Sequence, residues 1–166
     1  MLNKVKNRKQ EGFTIIEVLI VLAIAGLIML IVFLAVPALQ RNSRNTTKRS
    51  DASKVLGAVG ELTANNGGVP PVAGDVTALT TSANLSSGTT INATVPKTVA
   101  TVVAPSVSEI EIVTGVTCST AANVTAAAPT AANWQSQVTA GSPRSTVALF
   151  SVEAAGGNQT TQCLGS

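Results

Sequence analysis

The sequence predicts an α+β fold: one long amino-terminal α-helix, membrane-spanning in its first half and amphipathic in its second, packed on a small antiparallel β-sheet head. Three observations predict it. From Val18 to Val36 no side chain is charged or needs a hydrogen bond. At about 1.5 Å per helical residue, Phe13 to Val36 would extend about 36 Å, enough to cross a hydrocarbon slab of about 30 Å. Further on, Ala52, Val55, Leu56, Val59 and Leu62 recur at three- and four-residue spacing, the pattern of a helix with one apolar face. After Ala64 the composition turns to Thr, Ser, Ala, Val, Gly and Asn, which suits short strands and polar loops better than a helical core.

Residues 1–12 form a basic leader, with Lys4, Lys6, Arg8 and Lys9 against Glu11, ending at Gly12. An ordinary secretory signal has a short apolar core followed by a small-residue cleavage site. Here the apolar run is longer, and the small residue precedes it. A cut between Gly12 and Phe13 would leave the apolar segment, residues 13–37, on the mature chain with a new amine at its tip. Glu17 lies inside that segment. An ionised carboxylate in hydrocarbon costs several kcal/mol unless a cation meets it, which makes Glu17 a candidate functional residue. The competing reading places it at the headgroup level of a plain anchor, paired with leader lysines.

Gly12-Phe13-Thr14-Ile15-Ile16-Glu17, preceded by the basic leader and followed by an unbroken apolar helix with Gly26 inside it and Pro37 near its end, resembles the amino terminus of a type IV pilin precursor with a class III signal peptide. The resemblance covers about the first third of the chain. It implies a pilin fold, with Gly12 as the cleavage residue, Phe13 as the residue N-methylated after cleavage and Glu17 as the glutamate that sets register during assembly. The implied partners are copies of the same chain in a helical filament, a prepilin peptidase with the pilus assembly machinery, and membrane lipid before assembly. Location follows as an inner or cytoplasmic membrane with the head outside, then an extracellular filament. Pro37 falls nearly one helical turn later than the family's first proline, and a second proline further along the helix is missing. In assembled pili the corresponding glycine-to-proline segment can lose its helical hydrogen bonds, so Gly26 to Pro37 is expected to melt in a filament, helped by proline's missing donor.

Residues 38–64 are predicted as the amphipathic half of the same helix, with Arg41, Arg44 and Lys48 on a solvated face and Gly57 and Gly60 weakening the helix or admitting close strands. Asn65-Asn66-Gly67-Gly68 with Pro70-Pro71 stops it. Residues 65–97 read as a variable loop region holding at most one short strand. Residues 98–166 read as an antiparallel meander. Its strands are placed at Thr98 to Val103, Val107 to Val116, Ser145 to Glu153 and, after the turn Gly156-Gly157-Asn158, Gln159 to Leu164. Ile110 and Ile112 are expected on the dry face, Glu109 and Glu111 on the wet one. Cys118 and Cys163, an even pair in an exported domain, favour a disulfide, and many pilins have a carboxy-terminal loop bounded in this way.

Composition narrows the function classes. The chain has 166 residues, no His and a net charge of +3. Removing the leader leaves seven basic and seven acidic side chains, so the basic excess belongs to the leader, and the head's Lys97 and Arg144 are too sparse for a nucleic-acid surface. No nucleophile motif, phosphate loop or metal-ligand spacing is present, so neither an enzyme nor a cofactor is expected. Three readings remain: a filament-forming pilin, a pseudopilin of a type II secretion or DNA-uptake machine, and a single-pass anchored binding protein.

Overall fold

A computed structural model describes residues 12–92, 102, 105–121 and 123–165. Residues 1–11 of the leader and most of the stretch expected to be a strand at Thr98 to Val103 lie outside the described residues. The chain divides into two compact units, Met1–Gln40 and Arg41–Ser166. The fold is α+β, as the sequence predicts. Helix α1 spans Ile15–Asn65 and contributes to both units.

In the second unit, α1 buries Ala52, Val55, Ala58 and Val59, with Leu56 and Leu62 half-buried beside them. This is the predicted apolar face. Gly57 and Gly60 admit no close strand, since a Cβ on either would meet nothing within 4 Å. The helix stops where the sequence says it should. Gly67 and Gly68 take φ of 69° and 87°, and the Gly68 amide reaches back to the Thr63 carbonyl at 2.7 Å, satisfying a carbonyl that the helix leaves open.

Residues 65–92, the described part of the expected loop region, are more ordered than a loop. A 3-10 turn, Ala73–Asp75, leads into α2, Val76–Ala83. Leu79 and Ala83, four apart, are buried in the core, and Asn84 ends the helix in the left-handed conformation at φ 44°. Packing overrides the poor helix propensity of the Thr-rich sequence. Ser86 to Thr89 then form a β-turn closed by Thr89 N to Ser86 O at 3.0 Å. Gly88 takes φ of 87° at the third position, the positive value that a type II turn requires there.

The main sheet contains β1 (Thr90–Asn92), β2 (Glu109–Thr114), β4 (Thr125–Ala126), β6 (Thr146–Glu153) and β7 (Gln159–Gly165), in the order β1-β2-β6-β7-β4. The strand pairs β2–β6 and β6–β7 are antiparallel, as expected; β4, a strand the sequence did not announce, also joins β7 antiparallel, and β1 joins β2 in parallel. Ile110, Ile112, Ala148, Phe150 and Val152 pack with α1 and α2 in the first core.

The other face of the sheet is not wet. A two-stranded sheet of β3 (Val116–Cys118) and β5 (Val138–Ala140) helps to build a second core with Val113, Val147, Leu149, Val102 and Trp134. Trp134 comes from α3, Ala131–Gln135, whose start is fixed by Thr130 N donating to Asn133 Oδ1 at 2.8 Å. The expected solvent exposure of Glu111 is therefore wrong. It alternates correctly with Ile110 and Ile112 but faces a second layer and is fully buried. Glu109, half-buried, accepts the Ser106 amide at 2.8 Å, a bond that holds its carboxyl below the ordinary glutamate value.

Arg44 and Lys48 also depart from a purely solvated face. Arg44 grips Glu153 with two hydrogen bonds, Nε to Oε1 at 2.7 Å and Nη2 to Oε2 at 2.6 Å. Lys48 Nζ donates to the Val107 carbonyl. Both contacts bridge stretches far apart in sequence, which helical spacing cannot reveal.

Asp51 ties the turn after α2 to α1. Its side chain is fully buried and accepts from Lys54 Nζ at 3.2 Å, Ser86 Oγ at 3.0 Å, Ser86 N at 3.3 Å and Thr89 Oγ1 at 3.0 Å. Burial pushes its carboxyl up, and these hydrogen bonds outweigh burial to hold it below the ordinary value. A lowered folded value means that this stabilisation is complete above the unfolded value of about 3.9 and is lost as pH falls through the folded one. Asp51→Ala is expected to destabilise the second unit by about 3 kcal/mol at pH 7, with the deficit shrinking in acid as the charge-dependent part is lost. Urea melts followed by Trp134 fluorescence at pH 7 and pH 3 check both halves; a pH-independent deficit would contradict the charge-based account.

Candidate functional site

The first unit is described from Gly12 onward. Its apolar residues have no cover of their own: Phe13 is 89% exposed, and Ile15, Ile16 and the run from Val18 to Val36 are all exposed. Among the described residues, α1 is the one helix long and apolar enough to cross a membrane, with a mean hydropathy of 3.3 over its best window. An exposed apolar patch of this extent marks a surface for lipid or for other protein.

Glu17 sits at the start of this surface. Thr14 precedes the first helical residue, Ile15, and exchanges hydrogen bonds with Glu17 in both directions. Glu17 Oε2 accepts Thr14 N at 2.9 Å and Thr14 Oγ1 at 2.7 Å, while Glu17 N donates to Thr14 Oγ1 at 3.4 Å. This is a capping box, which satisfies amides that the first helical turn leaves open. The signal was in the sequence as Thr14-x-x-Glu17, directly before an apolar run. Reading Glu17 only as an intramembrane charge missed it.

The box holds the carboxylate at the tip of the helix, where the helix dipole also favours it. Phe13, Glu17, Val18, Val21 and Leu22 line a shallow depression of about 290 Å³ beside it. A carboxylate set in an apolar depression can receive one cation from outside.

Gly12 and Phe13 are exposed, and both precede the helix. Gly26 and Pro37 lie within α1 in the single chain. Pro37 cannot donate to the Phe33 carbonyl, so α1 lacks one internal bond there. Cys118 on β3 and Cys163 on β7 form the expected disulfide, with Cα atoms 5.7 Å apart. It links the two sheets of the second unit, and both cysteines pack against the second core.

A family model described as the prokaryotic N-terminal methylation motif matches residues 7–33. The amino-terminal segment is thus a type IV pilin-like class III signal peptide, covering the end of the leader, Gly12, Phe13, Glu17 and most of the apolar run. No significant match to a curated protein or to a solved structure is found.

Proposed function

We propose that this protein is a structural subunit of a type IV pilus, stored in the membrane and polymerised through its apolar helix after leader cleavage. The methylation motif makes the chain pilin-like or pseudopilin-like and fits a structural protein that is processed and assembled into a pilus-like polymer. The observation that carries the finer reading is the uncovered apolar surface from Phe13 to Val36 on the same segment that bears the motif. The disulfide bounding the carboxy-terminal region favours a pilin over a pseudopilin.

On this reading a peptidase cuts after Gly12 and the new amine of Phe13 is methylated. A methylated secondary amine still carries its positive charge at neutral pH. In the filament that ammonium enters the depression around Glu17 of a neighbouring copy, so that two charges expensive to bury singly form one pair. Each addition along the filament then repeats the same axial offset. The lipid that first covered the helix is replaced by other copies of it, at no loss of apolar burial.

Mass spectrometry of filaments sheared from the cell surface tests the proposal. The expected result is an abundant subunit beginning at N-methyl-Phe13. An intact Met1 would reject processing, and a processed chain confined to the membrane fraction would replace the pilin by a pseudopilin.

A further inference from the structure

The two flanks of α1 in the second unit differ in shape and in charge. Arg49, Leu56 and Thr63 are spaced seven residues apart, so they fall along one line of the helix. Beside that line lies an open depression of about 520 Å³, lined by Leu56, Val59, Gly60 and Thr63 from α1 and by Thr146 and Gly165 from β6 and β7. Gly60 keeps it open, because a Cβ there would meet nothing within 4 Å. Arg144 completes the lining. Its guanidinium packs on Gly68, with Cζ 3.3 Å from the place a Cβ on that glycine would take, so the charge is held at the depression.

Lys54 and Glu61, again seven apart, mark the opposite flank, with Glu61 about 140° around the helix from Leu56. Lys54 faces the end of α2, donating to the Asn84 carbonyl at 3.4 Å and to Asp51 Oδ1 at 3.2 Å. Among the described residues the ion pairs are Arg44 with Glu153 and Lys54 with Asp51. Arg49, Arg144 and Glu61 are exposed and take part in neither. One flank therefore carries an apolar depression with two uncommitted cations, and the other an uncommitted carboxylate. The folded chain holds both halves of a complementary contact and cannot join them itself, because they face away from each other.

We propose that the depression receives the Glu61 flank of a second copy of this chain, with Glu61 meeting Arg144. The contact presupposes the filament proposed above and adds to its helix packing a charge-matched junction between the second units. Two different surfaces of one chain make a heterologous contact, so each copy that docks presents a fresh depression and addition continues without closing. An exposed ion pair adds little affinity but fixes orientation, and like charges in its place repel. Reversing a charge is thus the sensitive probe, more than removing it.

Filaments sheared from cells in which a variant replaces the wild-type chain provide the test, compared at equal amounts in the membrane fraction. Arg144→Glu and Glu61→Arg each set like charges together at the junction and should each lower filament yield at least about tenfold. The double variant, with the charges exchanged, should recover to within about threefold of the wild type. Gly60→Gln fills the depression without changing charge and should lower yield by about tenfold as well, while its urea midpoint stays at or above the wild-type value because glycine is a poor helix former. Urea melts of the charge variants, followed by Trp134 fluorescence, should match the wild type, since neither side chain has an ion pair within the chain. Wild-type yields from the single reversals or from Gly60→Gln, or a double variant no better than the single ones, would overturn the contact and leave the pilin reading in place. A wild-type chain that forms no filaments would overturn that reading and the contact with it.

Discussion

Glu17→Gln is expected to be synthesised, inserted in the membrane and processed like the wild type, yet to reduce surface filaments by at least about 100-fold. The choice of glutamine separates the capping role that the structure shows from the register role proposed for the same side chain. As a capping-box residue, Glu17 accepts from Thr14 N and Thr14 Oγ1, and glutamine serves that position almost equally well. As a register residue it must supply a negative charge, which glutamine cannot. Losing a cap costs about 1 kcal/mol. Leaving a buried ammonium without its counter-charge costs about 3–5 kcal/mol per added subunit, or more than 100-fold in the addition equilibrium. Glu17→Ala should fail with the same severity, because charge and not capping dominates. Immunoblots of sheared and membrane fractions provide the measurement. Normal filaments from Glu17→Gln with none from Glu17→Ala would assign Glu17 to the cap and remove it from assembly.

The legible parts of this chain are those in which neighbours in sequence are also neighbours in space. The apolar run, the Ala52 to Leu62 face and the Gly67-Gly68 stop are local patterns, and the structure reproduces them. β2, β6 and β7 announced themselves by alternation and by the Gly156-Gly157 turn, which takes φ of 71° and 78°. Strand alternation is equally correct for Glu111, but period two tells only that its side chain opposes Ile110 and Ile112. Whether water or protein lies on that side depends on β3, β5 and Trp134, which are remote from it in sequence. Asp51 was passed over for a related reason. Its partners Ser86 and Thr89 lie 35 and 38 residues away, and nothing in a helical wheel distinguishes a buried aspartate with four hydrogen bonds from a solvated one. α2 was missed because its propensity is poor and its stabilisation comes from Leu79 and Ala83 packing into a core built by other elements. The capping box at Thr14 and Glu17 is the opposite case, a local pattern that was present and overlooked.

Replacing both cysteines, Cys118→Ser with Cys163→Ser, is expected to lower the stability of the second unit by about 4 kcal/mol. The bridge closes a loop with a sequence separation of 45. In the chain-entropy account a loop of that length restricts the unfolded ensemble by about that amount. A second contribution acts on the folded state, since both cysteines pack against the second core and serine would set a hydroxyl against it. The stability of a small domain is typically about 5–15 kcal/mol, so the loss removes a large share of it. The sole tryptophan is 1% exposed in this core, and its fluorescence reports on the region the bridge holds together. Urea melts should show a lower midpoint for the double variant, with a steeper urea dependence because its unfolded chain is less compact. A difference below about 1 kcal/mol would mean that β3, β5 and α3 stay on the main sheet by packing alone. Membrane insertion of the variant should be unchanged, because the segment from Phe13 to Val36 contains no cysteine. A variant that inserts and is processed normally but yields fragile or few filaments would therefore trace the defect to the head, separately from the charge-dependent step at Glu17.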